Sequence, residues 1–517
     1  MMLKLVVLSV LTYVILISFV VGTESYVLLM GLLSALPVSV YLVASFGWQQ
    51  RRNDAATGAQ KRRPAKKNRK ARNGPSFPFI IIYMLPIGIA VAIAMYQGYA
   101  LLEASTLYSV LISFGLSLSF SYALVNLPLA IKHKQMEQAA AKKQKPLLFF
   151  PSVTIIVPAY NEEAGIERTL DALLEVDYPN KEVIVVDDGS KDRTWAIASS
   201  YINRAPPGRF NVIKKENGGK ASAINSALRF AKGEIIVVID ADAIIARDTL
   251  KELVRQFEDD SIAAIAGNPK VLNRGKFLAR IQVLEYAVGV SLFKRAYAFF
   301  GVVMVVPGGL GAFRKEYLVQ SGLYDSDTLT EDFDITIKVL KMGKKVVMAA
   351  TALSYSEVPE RVKDLYKQRL RWQGGNLQTL LKHKDVMSDP KYGMVYKYGY
   401  PLVLLTMLTL PFLGMVVTAF IFIAILYDLW FMLLIAFVIF TSLQFVLGAI
   451  AIMLDEDDWK SLAFAPLMVV GYKQLLDFFT IKSTLDVVFK RNLRWNPSTR
   501  YGMVASNIST ATLAKPS

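Results

Sequence analysis

Seven long apolar runs frame a polar middle, and a single soluble core cannot bury all of them. Four precede the polar block, at residues 3–22, 26–48, 77–99 and 107–130. Three follow it, at 400–426, 430–454 and, more weakly, 462–488. A helix needs roughly 20 apolar residues to cross a hydrocarbon core, and the first six runs meet that length. With 53% hydrophobic residues and a mean hydropathy of +0.36, the chain reads as a polytopic α-helical membrane protein around an inserted soluble domain. No small-residue cleavage site follows the first run, and a second run comes at once, so it reads as a retained anchor.

Charge orients the chain. The net charge is +17, and residues 51–73, "RRNDAATGAQKRRPAKKNRKARN", hold ten Lys/Arg against one acid. Such a block cannot build a core and reads as disordered. Its flanking spans and its lack of interleaved aromatics argue against nucleic acid as a partner. By the positive-inside rule the block is cytosolic, as are "KHKQMEQAAAKKQK" and the polar middle after it. The expected organisation is a transmembrane hairpin (1–49), a basic cytosolic loop (50–76), a second hairpin (77–131), a cytosolic catalytic domain (132–358), amphipathic interface helices (359–397), C-terminal transmembrane or interface helices (398–490) and a cytosolic tail (491–517). The run at 462–488 contains Lys473, Asp477, Lys482 and Asp486, which a lipid-facing helix tolerates poorly. It reads as a re-entrant or interfacial piece, or as a helix packed inside a bundle.

Within the middle block, "SVTIIVP", "KEVIVVDD", "FNVIKKE", "EIIVVIDAD" and "IAAIAGN" are short apolar runs of buried-strand type. Helical patterns lie between them at 163–175, 192–203, 220–231 and 247–259. That alternation predicts an α/β domain with a parallel sheet and helices on both faces. Ligands of such sheets bind beyond the carboxyl ends of the strands. Each of the first four strands ends there in polar or glycine-rich residues: "VPAYNEE", "VVDDGS", "ENGGKASAIN" and "VVIDADA".

The chain has no cysteine, which excludes disulfides and thiolate metal sites, and its two histidines argue against a His-based zinc site or a Ser-His-Asp hydrolase. Chemistry must rest on carboxylates. Taken singly, Asp187-Asp188-Gly189 is a turn with a helix cap, and Asp240 and Asp242 are caps. Yet alternate strand residues share a side, so Asp-x-Asp can aim two carboxylates at one point, and hard divalent cations take oxygen ligands. The joint occurrence favours a site. Late in the block, "LYKQRLRWQGGNLQTLL" puts a glutamine, two arginines and a tryptophan within five residues. On a helix Gln368 and Trp372 lie one turn apart, with Arg371 beside them and Arg369 off to the side. A membrane-surface helix explains such a cluster in part.

Four motifs occur in order: Asp187-Asp188-Gly189, Asp240-Ala241-Asp242, Thr330-Glu331-Asp332 and Gln368-Arg369-Leu370-Arg371-Trp372. Over about residues 153–378 the chain resembles the processive membrane glycosyltransferases of family 2: the cellulose, poly-N-acetylglucosamine, chitin and hyaluronan synthases. The resemblance implies a GT-A catalytic fold, a nucleotide-diphospho-sugar transferase domain of Rossmann-like type. "TED" with "RLRWQGG" leans toward the poly-N-acetylglucosamine and cellulose branches, since the others usually carry a Gly-Asp/Glu-Asp-Arg motif. It does not cover the N-terminal runs or the basic loop.

The resemblance also implies roles. Tyr160, Glu162, Asp188 and Lys220 hold the nucleoside of a UDP-sugar, Asp240 and Asp242 face the diphosphate, and Asp242 is the more direct ligand of Mg²⁺ or Mn²⁺. Asp332 is the general base. Its plain alternative is a helix-terminal acid favoured by the macrodipole, a charge that Glu331 and Asp334 already supply. Gln368, Arg369 and Arg371 contact the diphosphate. Gly308, Gly309 and Arg314, with Glu331 and Trp372, line the acceptor site. The expected activity is processive, inverting elongation of a β-linked polysaccharide from UDP-N-acetylglucosamine or UDP-glucose, with export through the enzyme's own channel at the cell membrane. The partners are the donor, the growing chain, the lipid bilayer and a small membrane accessory subunit. The competing readings are a polyprenyl-phosphate sugar transferase, which usually lacks the Gln-x-x-Arg-Trp cluster, and a non-catalytic transporter or sugar-nucleotide sensor.

Overall fold

A computed structural model describes residues 104–142, 147, 150–426, 428 and 430–491. The apolar runs at 3–22, 26–48 and 77–99, the basic loop and the tail beyond residue 491 lie outside the described residues. Those described fall into two compact units: 104–128 with 412–440, and 129–411 with 441–491. The first unit consists of stretches of three long helices, Ala104–Lys142, Leu410–Leu426 and Trp430–Asp455.

The second unit is built on an eight-stranded sheet: β1 (Val153–Ala159), β2 (Lys181–Asp187), β3 (Phe210–Lys214), β4 (Ile235–Val238), β5 (Ile244–Ile245), β6 (Ile262–Val271), β7 (Gly311–Arg314) and β8 (Lys345–Ser356). Their order is β3-β2-β1-β4-β7-β6-β8-β5. The first four strands are parallel, as the alternating pattern predicts. The rest is mixed, because β7 runs antiparallel to both β4 and β6. β1 is buried along its whole length, which suits a strand covered on both faces.

Pro158 marks where the sheet opens. It lies in a central strand although it has no N–H to give. The β1–β4 ladder has already stopped at Ile156 opposite Val238, whereas β1 continues to pair with β2 as far as Asp187. The strands therefore diverge at their carboxyl ends where the order reverses, leaving the crevice in which such sheets bind ligands. The expected helices form with trimmed ends, at Ile166–Glu175, Thr194–Ser200, Lys220–Leu228 and Thr249–Gln256.

Among the described residues, two helical stretches are long and apolar enough to cross a membrane, Val395–Leu426 and Ala436–Asp455, with mean hydropathies of 2.4 and 2.3. The run at 107–130 lies within the single helix Ala104–Lys142. The weak run at 462–488 is broken. A 3₁₀ stretch, Trp459–Met468, meets the helix Tyr472–Val488 at a bend of 61°. The acids of that second helix are answered locally, Asp477 by Lys473 and Asp486 by Lys482, each one turn apart.

The end of the Trp430–Asp455 helix is fixed to the sheet by buried charge. Asp455 accepts from Asn268 Nδ2 (2.8 Å), Ser291 Oγ (2.7 Å) and the Lys270 ammonium. Lys270 also reaches Asp457 at 3.2 Å, which Arg274 pairs from the other side. Arg295, only 2% exposed, donates to the Leu454 carbonyl at 3.1 Å and to Glu137 at 2.9 Å. Breaking one partner of a buried pair leaves an uncompensated charge, at a typical cost of roughly 3–5 kcal/mol. Asp455→Ala should therefore lower the unfolding temperature in detergent markedly, and Asp455→Ala/Lys270→Met should recover part of that loss. An Asp455→Ala protein as stable as the parent would show that the network carries no net stabilisation.

Candidate active site

The loops after β1 and β2 are stapled to each other. The Asn161 amide donates to Ser190 Oγ (2.9 Å), Lys191 N to Asn161 Oδ1 (2.8 Å) and Glu162 N to Thr194 Oγ1 (2.8 Å). Asn161 adopts a positive φ of 54°, which asparagine accepts more readily than most residues. Tyr160 and Glu162 are thus held half-buried at the mouth of the crevice. Asp188 is buried, and its oxygens accept from Lys215 Nζ (2.6 Å), Gly218 N (3.0 Å) and Gly219 N (2.8 Å). It therefore shapes the 215–219 loop, and that loop presents Lys220 at the start of the next helix.

The Asp240-Ala241-Asp242 turn is fixed from behind. Thr169 Oγ1 donates to the Ala241 carbonyl at 2.8 Å, and Gly165 packs 3.7 Å from the Asp242 backbone, reckoned from where its Cβ would stand. Lys220 Nζ lies 2.5 Å from Asp240 Oδ1 and 3.3 Å from Glu331 Oε1, so one ammonium joins the fourth strand end to the Thr330-Glu331-Asp332 turn. Gly308 closes over this ammonium, and a Cβ there would collide with it. The Gly308 N–H donates to Asp332 Oδ2 at 3.2 Å, and Phe333 N–H donates to Oδ1 at 2.8 Å. Thr336 ties the same parts together, accepting from Val306 N at 3.0 Å and donating to the Asp332 carbonyl at 2.6 Å.

The helix Val362–Lys382 carries the Gln-Arg-Leu-Arg-Trp cluster and packs on this turn. A Cβ on Gly375 would lie 2.7 Å from Thr330 Cγ2 and 2.9 Å from the Leu329 carbonyl carbon. The second glycine of "WQGGN" is therefore what lets the helix touch the acid turn. Gln378 Oε1 accepts from Leu329 N at 3.2 Å beside it.

Residues 154–321 match the family described as Glycosyl transferase family 2. The chain carries a glycosyltransferase family 2 domain. The poly-beta-1,6-N-acetyl-D-glucosamine synthase of Staphylococcus aureus (strain COL) is 32% identical over 240 residues, 46% of this chain and 57% of that protein. The protein of the same name from Staphylococcus epidermidis is 31% identical over 232 residues, 44% of this chain and 56% of that one. The chain thus spans little more than half the length of the curated relatives it matches. The mannosyltransferase PcManGT of Pyrobaculum calidifontis, solved with GDP-Man and Mn²⁺, superposes with a TM-score of 0.50 at 22% identity, covering 74% of this chain and 100% of that one. That likeness shows a shared GT-A-type fold.

Two expected contacts of the glycosyltransferase domain fall elsewhere. Arg314 stands opposite Ile235, at the start of β4, whereas the Asp240 turn follows its end. Its guanidinium donates to the Ile262 carbonyl (3.0 Å) and Asp260 (3.2 Å), so it fastens the far end of the sheet and does not line an acceptor site. Arg369 is buried, pairs with Glu285 at 2.9 Å and lies 4.6 Å above the Trp372 ring. Glu285 supplies the anion a buried guanidinium requires, and the guanidinium's place over the ring braces Trp372. Gln368 Oε1, Arg371 Nε and Arg369's own Nε have no hydrogen-bond partner among the described residues.

Other groups at the site carry no motif. Tyr286 sits in a π-turn, Tyr286–Leu292, a kink often found at functional sites, within electrostatic reach of Asp242 and Arg369. Burial raises its hydroxyl to about 12. Lys294 is pushed down to about 8 by burial, against the pull of Asp332. Tyr324 is raised by burial and by Glu331. A chain bend and two lone polar residues leave no periodic signal.

The Asp240–Asp242 pair fits a divalent cation by its donor set, two carboxylates at one turn with an ammonium already drawn to Asp240. Asp325, Asp327 and Asp334 also converge, but Lys382 Nζ stands within 2.7, 2.7 and 3.0 Å of them, so that cluster is satisfied by a lysine.

Asp332 is raised to about 6 by burial and by the neighbouring Glu331, against the pull of Lys220 and the two amides. A general base acts deprotonated, and one that titrates near the working pH is the most effective. Turnover should hold above pH 6 and fall toward tenfold per unit below it, as Asp332 takes up its proton. Asp332→Asn should lower transfer by roughly 10²–10⁴ while leaving UDP binding nearly intact. Pre-steady-state turnover and labelled-UDP binding on one preparation test both, and near-parental turnover would reduce Asp332 to a helix-terminal acid.

Proposed function

We propose that this chain is a processive, inverting glycosyltransferase that elongates a β-linked polysaccharide from a UDP-sugar on the cytosolic face of the cell membrane and passes the product through its own helices. The observation that carries the reading is the convergence of Asp240, Lys220, Glu331 and Asp332 at the strand ends, with the Gln368–Trp372 helix docked on the Asp332 turn through Gly375. The named relatives favour UDP-N-acetylglucosamine as donor.

Tyr160, Glu162 and the loop shaped by Asp188 hold the nucleoside. Asp240 and Asp242 would hold Mg²⁺ or Mn²⁺, which supplies positive charge to the departing diphosphate. Gln368 and Arg371 bind that diphosphate, and arginine's planar fork suits phosphate oxygens. Trp372, held by Arg369, stacks on the terminal sugar of the acceptor, with Glu331 and the Gly308–Gly309 backbone beside it. Asp332 takes the proton of the attacking hydroxyl, and the new bond forms on the face opposite the leaving UDP, inverting the anomeric centre.

Incubation with a panel of UDP-sugars should release UDP fastest from one donor and give long products, and EDTA should abolish turnover until Mg²⁺ or Mn²⁺ is restored. Full activity in chelator would remove the metal from the reading. Trp372→Ala should shorten the polymer more than it weakens UDP binding. In sealed vesicles with the domain outside, polymer should accumulate in the lumen, protected from an added glycanase. Product that stays accessible, or stops at one or two sugars, would leave a non-exporting transferase.

A further inference from the structure

We propose that Lys220 is a resident surrogate for the divalent cation: its ammonium holds Asp240 and Glu331 in place until a nucleoside diphosphate draws it away, so that metal and nucleotide bind together. This rests on the reading above that Asp240 and Asp242 are metal ligands and that a nucleoside diphosphate is the donor.

The geometry leaves the ammonium in the place of a metal. Lys220 Nζ sits 2.5 Å from Asp240 Oδ1 and 3.3 Å from Glu331 Oε1, at ion-pair distance from both. It stands at the first position of the Lys220–Leu228 helix, and that helix cannot slide, because Asn225 Nδ2 donates to the Tyr324 carbonyl (2.8 Å) and Asn225 Oδ1 accepts from Tyr324 N (3.1 Å). Gly308 backs the ammonium so closely that no side chain fits there, and the same residue's N–H holds Asp332.

A divalent ion bound by Asp240 and this ammonium repel one another, since both are positive, and they compete for the same carboxylate. Left alone, the metal must expel the lysine from its two acids. A diphosphate changes that balance by offering its own oxygens to the ammonium, and the metal then takes Asp240 at no electrostatic loss. Lys220 is a flexible four-carbon stem ending in a compact charge, suited to moving a short distance between two anionic partners.

Direct titration with Mn²⁺, read as free Mn²⁺ by electron paramagnetic resonance, tests this without turnover. The parent should bind Mn²⁺ weakly alone and at least tenfold more tightly with UDP. Lys220→Met and Lys220→Gln, each checked for a parental unfolding temperature, should bind Mn²⁺ alone at least tenfold more tightly than the parent and should lose most of the UDP enhancement. Lys294→Met removes a nearby charge that no ion pair ties to Asp240, and it should change Mn²⁺ affinity less than threefold. Equal tightening by Lys294→Met would make the effect general electrostatics and overturn the proposal. So would Lys220 variants that bind Mn²⁺ no better than the parent while the parent still responds to UDP. A parent that binds no Mn²⁺ even with UDP would overturn the metal reading itself, and the surrogate role with it.

Discussion

The helix that ends at Asp455 depends on a buried carboxylate. An ionised side chain at the foot of an apolar helix is costly unless its partners are in place. Here they come from β6 (Asn268, Lys270) and from the π-turn (Ser291), while Arg295 on the next helix caps the neighbouring Leu454 carbonyl. The requirement works in both directions. The apolar helix ends in a buried acid because the sheet supplies Lys270, and Lys270 is buried because Asp455 and Asp457 answer it, while Arg295 finds its acid in Glu137. Ser291, on that same π-turn, places the segment that begins with Tyr286, so the contact that anchors the helix also positions one wall of the site.

The candidate site groups follow from where strands stop. β1 parts from β4 after Ile156, and the residues past that point are the first free to turn into the crevice. Asp188 and Asp240 both sit just beyond strand ends, one spent on shaping a glycine loop and the other on receiving the lysine which that loop presents. Strand termination therefore fixes which acid shapes the loop and which receives the lysine.

Much of this was legible in the sequence because the deciding residues are local. Runs such as "IIVV" need no partner to read as buried strands, and the four parallel strands appear where the pattern puts them. β7 was not legible. Four residues, "GAFR", carry too little periodicity, and their antiparallel placement between β4 and β6 is set by tertiary pairing. The same blindness misplaced Arg314, which follows a glycine-rich stretch beside the site but points away along β7. Arg369 was misjudged because helix spacing gives a direction and no partner, and Glu285 lies 84 residues away. Tyr286, Lys294 and Tyr324 have no motif, since their relevance comes only from burial next to Asp242, Asp332 and Glu331.

Charge balance ties these parts together. Asp240, Asp242, Glu331 and Asp332 are four acids around one crevice, and such a set destabilises itself unless cations answer it. Lys220 answers two of them directly, and Lys294 lies within electrostatic reach of a third. What remains is an excess of acid at the strand ends. It also leaves Asp332 next to Glu331, raised to about 6 and so able to take a proton near neutral pH. The same surplus of acid that draws in Lys220 thus lifts Asp332 into the range where it can exchange a proton.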